Sequence, residues 1–209
     1  MINKGEEQRA HLIMKLRGQG IRSASVLSAI ESVPRDIFIE NALKNHAWEN
    51  VTLPIGEGQT ISQPYIVALM TTALNLSGKE IVLEIGTGSG YQASILSLLC
   101  RRVYTIERIK TLHEFSNKKF RELKLNNITT KFGNGSLGWP EVSPFDRIIL
   151  TCAINQIPKQ LFLQLKIGGI LIGPEILEDS RQVLSSYYQT DKNKFEKKKI
   201  EDVKFVPML

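Results

Sequence analysis

Residues 82–96 read VLEIGTGSGYQASIL. An apolar run ends in glycines at alternate positions, Gly86, Gly88 and Gly90, and a segment with helical spacing follows. A run without polar alternation fits a strand covered on both faces, as in a parallel sheet. Alternating glycines let the backbone bend tightly and let it approach a ligand closely. A strand, a glycine turn and a helix in that order open a doubly wound α/β sheet. In such a sheet, ligands sit beyond the carboxyl ends of the strands.

Downstream the pattern repeats. Strands are expected at 80–86, 102–107, 128–133, 147–152 and 169–173, with helices at about 91–100, 110–124 and 157–166. Two further runs, 182–189 and 201–206, read as closing strands, at least one of them antiparallel. The prediction for 77–209 is a mostly parallel α/β/α sandwich. Upstream, 1–76 reads as helical and substrate-covering, within one globular domain overall. Leu12, Ile13 and Leu16 share a face before Gly18 and Gly20 stop it. Ser23 is placed to cap a helix carrying Val26, Leu27 and Ile30, which Pro34 ends. The stretch 42–59 reads as a loop, and another helix starts at Pro64, with Ile66, Met70, Ala73 and Leu74 inward.

Composition fits one globular domain. The chain has 209 residues, 42% hydrophobic and 23% charged, which excludes a disordered or collagen-like polymer. Its apolar runs are too short to span a membrane, and the first residues show no secretory core. Two cysteines, Cys100 and Cys152, make no disulfide framework and read as buried thiols of a cytoplasmic protein. His11, His46 and His113 are scattered, so no metal site is expected. The net charge of +6 permits nucleic acid without implying it. Five lysines fall within Lys192 to Lys199, which reads as a solvated hairpin or strand edge.

The chemistry gathers at strand ends. Glu107 closes the second strand, 17 residues after Gly90, where a carboxylate can accept both hydroxyls of a ribose. The third strand ends in Gly133-Asn134-Gly135, where an amide and backbone groups suit an adenine edge. A dinucleotide fingerprint wants its third glycine one position later, and a phosphate loop wants a lysine; neither is present. A glycine turn can also be purely structural, and Glu107 can be merely solvated.

The E-x-G-x-G-x-G spacing resembles the S-adenosylmethionine loop of class I methyltransferases, which are Rossmann-type sandwiches. The stretches GQTISQPYIVALM (58–70), VLEIGTGSGYQASIL (82–96), VYTIERI (103–109), GNGSLGWPEVSPFDRIILT (133–151), LKIGGILIGP (165–174) and KFVPML (204–209) together resemble protein-L-isoaspartate O-methyltransferases. The resemblance implies methyl transfer from S-adenosylmethionine to the free carboxylate of L-isoaspartyl residues in damaged proteins. The ester then collapses to a succinimide that reopens partly as aspartate. By the same resemblance Ser62 is the active-site serine. Gly86, Thr87, Gly88, Glu107, Asn134 and Gly135 contact the cofactor. Gln63 and Gln182 join Ser62 at the substrate. The expected partners are isoaspartyl proteins and peptides, with no nucleic acid and no membrane, and the chain is expected to be a monomer.

The residues agree with that chemistry. A carboxylate is ionised at pH 7 and can attack a sulfonium methyl without a general base. The protein must supply positioning and shielding from water. Ser62, just before a helix, can hold one carboxylate oxygen with its hydroxyl and nearby N–H groups, or simply cap that helix. Three stretches depart from the family's pattern. Asn134 replaces a usual aspartate, 152–155 replaces an alanine-rich loop, and 173–176 replaces a proline-valine-glycine loop. The alternatives are a carboxyl methyltransferase for a specialised peptide and a catalytically impaired S-adenosylmethionine-binding module. A nucleic-acid methyltransferase is disfavoured, because the fourth strand ends in TCAIN without the proline-rich motif that holds a flipped base.

Overall fold

A computed structural model describes residues 4–208. Three helices come first: α1 (Lys4–Gly18), α2 (Ala24–Ser32) and α3 (Pro64–Ala73). Leu12, Leu16, Val26 and Ile30 are buried on their inner faces. The Ser23 hydroxyl accepts from the Val26 N–H at 3.4 Å and caps α2, as its position predicts. Between α2 and α3 the chain is more ordered than an open loop. It makes two 3-10 turns, Arg35–Phe38 and Asn41–His46, and a small antiparallel pair, β1 (Leu53–Pro54) with β2 (Thr60–Ile61). The N-terminal helices share one buried cluster with Tyr91 and Ile95, which follow the glycine turn.

The remainder alternates as predicted. The elements are β3 (Ile81–Ile85), α4 (Tyr91–Ser97), β4 (Arg102–Glu107), α5 (Lys110–Glu122), β5 (Ile128–Phe132), β6 (Phe145–Leu150), α6 (Lys159–Leu163), β7 (Leu165–Ile176), β8 (Gln182–Asp191) and β9 (Lys194–Val203). They form a sheet in the order β5-β4-β3-β6-β7-β8-β9. The strands from β5 to β7 are parallel, β8 pairs antiparallel with β7, and β9 pairs antiparallel with β8. Strand β3 is central: Val82 enters one apolar cluster, and Leu83 and Ile85 enter the other. Burial on both faces explains its near-continuous apolar run, interrupted by Glu84. The chain leaves β3 toward β4 and β5, then returns on the other side as β6. The carboxyl end of β3 is therefore the switch point.

Three boundaries differ from the expectation. Residues 173–176 are not a ligand-edge loop: they continue β7, because β8 pairs with it from Ile170 through Ile176. The last strand is Lys194–Val203 rather than 201–206. The lysine-rich stretch itself pairs with β8 and forms the sheet's edge, where Lys197 meets Glu175 at 2.7 Å. Helix α6 is held to five residues between Pro158 and the start of β7. Among the described residues, no helix is long and apolar enough to cross a membrane.

Candidate active site

The turn after β3 needs its glycines. Gly86, Gly88 and Gly90 have φ of 95°, 54° and 92°, a region that costs an L side chain energy. At Gly86 space is also lacking: a Cβ would meet the Thr151 hydroxyl at 2.5 Å. The Gly86 N–H donates to the Ile106 carbonyl at 2.9 Å, tying the turn to the end of β4.

Glu107, at that end, is 6% exposed and tightly held. One carboxylate oxygen accepts from the Gly88 N–H at 2.8 Å, the other from the N–H groups of Arg108 at 2.8 Å and Ile109 at 2.9 Å. A carboxylate offers about four acceptor positions. Three serve the two loops, and the remaining one is available to a ribose hydroxyl.

Asn134 is exposed, and its side-chain oxygen accepts from the Ser136 N–H at 2.9 Å, capping the 3-10 turn Gly135–Leu137. Capping engages the amide oxygen, so the free edge of this side chain is mainly its NH₂. Gly135 packs directly on Ile85, where a Cβ would collide with the isoleucine side chain.

Ser62 follows β2 and precedes α3 by two residues. It is half-buried, and its hydroxyl has no hydrogen bond among the described residues. It does not cap α3. The Tyr65 N–H is taken by the Asn50 side-chain oxygen at 2.8 Å, Pro64 has no N–H, and the Val67 N–H bonds the Gln63 carbonyl at 3.2 Å. Few helix donors remain for a carboxylate, and among the described residues the hydroxyl has no partner.

Ser62, Gly86, Thr87, Gly88, Glu107, Asn134 and Gly135 line one cleft, open at its mouth. Its rim at Gly88 is uncrowded, since a Cβ there would touch only Ile55, at 3.4 Å. A spare carboxylate acceptor, an open backbone turn and an exposed amide in sequence fit the ribose and base of an adenosine. Gln63 and Gln182 are not brought into the lining. Gln182 instead exchanges two hydrogen bonds with the Phe205 backbone, at 3.1 and 2.6 Å. It thereby anchors the final segment, of which Val206, Pro207 and Met208 border the cleft.

Residues 7–209 match the family described as protein-L-isoaspartate(D-aspartate) O-methyltransferase. The chain belongs to that family. It is 48% identical over 210 residues to the protein-L-isoaspartate O-methyltransferase of Parvibaculum lavamentivorans, covering 100% of this chain and 94% of that one. It is 49% identical over 198 residues to the Caulobacter vibrioides protein of the same name, covering 95% and 89%. A solved protein-L-isoaspartate O-methyltransferase superposes with a TM-score of 0.88 at 28% identity. That match covers 95% of this chain, which spans 65% of the other's length.

Several further groups at this cleft are not marked as site residues by the sequence alone. Arg35 is fully buried and donates to the Ser62 carbonyl at 2.8 Å and the Val51 carbonyl at 3.0 Å. Thr151 and Tyr91 also line the cleft. Glu84 lies beneath the turn, fully buried. Thr105 donates to it at 2.5 Å and lies 2.6 Å from the Thr87 hydroxyl. Burial pushes the Glu84 carboxyl up to about 8, aided by nearby Glu107 and opposed by Thr105. The equal register of Glu84 and Thr105 on β3 and β4 was available only from the sheet. Cys152 borders the cleft, and burial raises its thiol to about 12, so it is a neutral wall rather than a nucleophile.

Proposed function

We propose that the protein transfers a methyl group from S-adenosylmethionine to the free carboxylate of L-isoaspartyl residues in damaged proteins, with Ser62 holding the acceptor. What carries this reading is the convergence of a free serine hydroxyl, the glycine turn and Glu107 on one cleft of a chain from this family. Bound S-adenosylmethionine supplies an electrophilic methyl group. The cleft's own residues orient and shield. Glu107 and the turn fix the ribose, and Asn134 and Gly135 border the adenine. Ser62 donates to one carboxylate oxygen, leaving the other free to attack in line. No group need remove a proton, because an isoaspartyl carboxylate is already ionised at neutral pH.

In this reading 1–76 covers the substrate and 77–209 holds the cofactor. Gln63 acts as a neighbour of Ser62, and Gln182 acts through the chain end it anchors. The free thiols Cys100 and Cys152 favour the cytoplasm. Proteins rather than nucleic acids are the substrates, and the chain works as a monomer. The experiment is incubation with labelled S-adenosylmethionine and matched isoaspartyl and aspartyl peptides, followed by a count of base-labile methyl esters. Label on a range of unrelated isoaspartyl peptides, and not on their aspartyl twins, supports the reading. Label on one peptide alone points to a specialised carboxyl methyltransferase. Cofactor binding without transfer points to an impaired module.

A further inference from the structure

Arg35 is the largest fully buried side chain, and it makes no ion pair with an Asp or Glu among the described residues. Buried cations ordinarily have a carboxylate partner, because an unpaired one is costly. Here the guanidinium instead lies over the Tyr91 ring, 5.1 Å from its centroid, and donates to two carbonyls, Val51 and Ser62. Its Nε meets no acceptor, and the buried hydroxyl of Tyr91, a residue lining the cleft, lies near enough to the guanidinium to offset part of its burial without neutralising it. Burial lowers the guanidinium to about 10 and raises the Tyr91 phenol to about 12, so a neutral-pH protein holds a cation against a neutral ring.

The two carbonyls bracket the β1–β2 hairpin, one on each side. A single side chain therefore fixes both ends of the segment that presents Ser62, and it rests on the first residue of the helix after the cofactor turn. The uncompensated charge sits directly behind the serine main chain. Two carboxylates enter this cleft, the amino-acid carboxylate of the cofactor and that of the acceptor, and the reading of Ser62 as the acceptor's anchor places the second of them in front of that charge.

We infer that Arg35 is a positioning residue for the methyl acceptor: it sets the Ser62 main chain, and its unpaired charge selects an ionised carboxylate over a neutral group at Ser62. The inference rests on the reading of Ser62 as the acceptor's anchor. Substrate binding then supplies the negative charge that folding leaves out, and cofactor binding does not depend on Arg35. A neutral ester product is correspondingly less favoured than the acid.

The experiment compares an isoaspartyl peptide with its isoasparaginyl twin, which has the same shape and no charge. Binding of both is measured in the presence of S-adenosylhomocysteine, for the wild type, Arg35→Met and Arg35→Lys. The wild type is expected to prefer the acid about tenfold or more. In Arg35→Met that preference collapses and KM for the acid rises about tenfold, while the Kd for S-adenosylhomocysteine stays within about twofold. Arg35→Lys, which keeps the charge without the two-pronged grip, retains the preference but loses kcat. Equal weakening of both peptides, or loss of cofactor affinity in step with activity, makes Arg35 a scaffold residue and overturns the inference. Should Arg35→Met fail to fold, the wild type alone decides: equal affinity for acid and amide refutes selection by charge. A wild type that methylates no isoaspartyl peptide defeats the functional reading instead, which is a separate outcome.

Discussion

The side-chain oxygen of Asn50 accepts the Tyr65 N–H at 2.8 Å, so helix α3 is capped from a residue 15 positions upstream rather than by Ser62. Capping and catalysis are thereby divided between two residues. Asn50→Ala is expected to cost about 1 kcal/mol of stability, the usual value of a lost cap. Ser62→Ala should leave the melting temperature nearly unchanged. Thermal unfolding of both variants checks this, and a drop for Ser62→Ala equal to that of Asn50→Ala would reverse the division.

Glu107 serves the fold and the cofactor together. Its three bonds to the N–H groups of Gly88, Arg108 and Ile109 hold the two loops that shape the cleft. Glu107→Ala should weaken S-adenosylhomocysteine binding by about 1.5–3 kcal/mol, the range for a hydrogen bond to a charged group. It should also lower the melting temperature of the free protein, because three backbone donors lose their acceptor. Calorimetric titration showing unchanged affinity would remove Glu107 from the cofactor site.

Asn134 has its oxygen engaged by the Ser136 N–H. An aspartate there would keep the cap and add a second oxygen for the adenine amino group. Asn134→Asp is therefore expected to bind S-adenosylmethionine at least as tightly as the wild type. A loss beyond about tenfold, or 1.4 kcal/mol, would mean that the NH₂ of Asn134 is the group the adenine uses.

The raised Glu84 carboxyl gives stability a pH dependence of defined sign. In the unfolded chain a glutamate titrates near 4.3; in the fold Glu84 titrates at about 8. Between these values the native state holds a proton that the unfolded state releases. This contribution is complete at low pH and is lost as pH rises from about 4.3 through about 8, by at most about 1.4 kcal/mol per pH unit. Glu84→Gln, neutral throughout, should flatten that part of the curve. Denaturant unfolding at pH 5.5 and 8.5 measures the difference, and parallel curves for the two proteins would contradict it.

The sheet was readable where local sequence settles the backbone. Gly86, Gly88 and Gly90 adopt the positive φ that their spacing suggests, and β3 shows its double burial as a near-continuous apolar run broken at Glu84. Reading failed where a distant partner decides. Residues 173–176 extend β7 only because β8 folds back upon them. The lysine-rich stretch does form the expected hairpin edge, but the last strand runs 194–203 rather than 201–206, because pairing with β8 and not apolar alternation sets its bounds. At the site, Glu107 and Ser62 stood out by position in a motif. Arg35 and Asn50 did not, since their bonds to Ser62 and Tyr65 span 27 and 15 residues, and Glu84, though it opens the E-x-G-x-G-x-G motif, gave no sign of its bond to Thr105, 21 residues on. Gln182 was placed at the substrate by resemblance, and its actual bonds are to Phe205.

The central claim is that the free Ser62 hydroxyl holds the attacking isoaspartyl carboxylate. Methyl transfer by Ser62→Ala to an isoaspartyl peptide tests it most directly, with cofactor affinity measured on the same preparation. Because the start of α3 offers few spare N–H donors, the loss should reach one to two orders of magnitude in rate, as expected for removing one positioned donor. Cofactor affinity should be unchanged. Wild-type turnover in a folded Ser62→Ala protein would contradict the account.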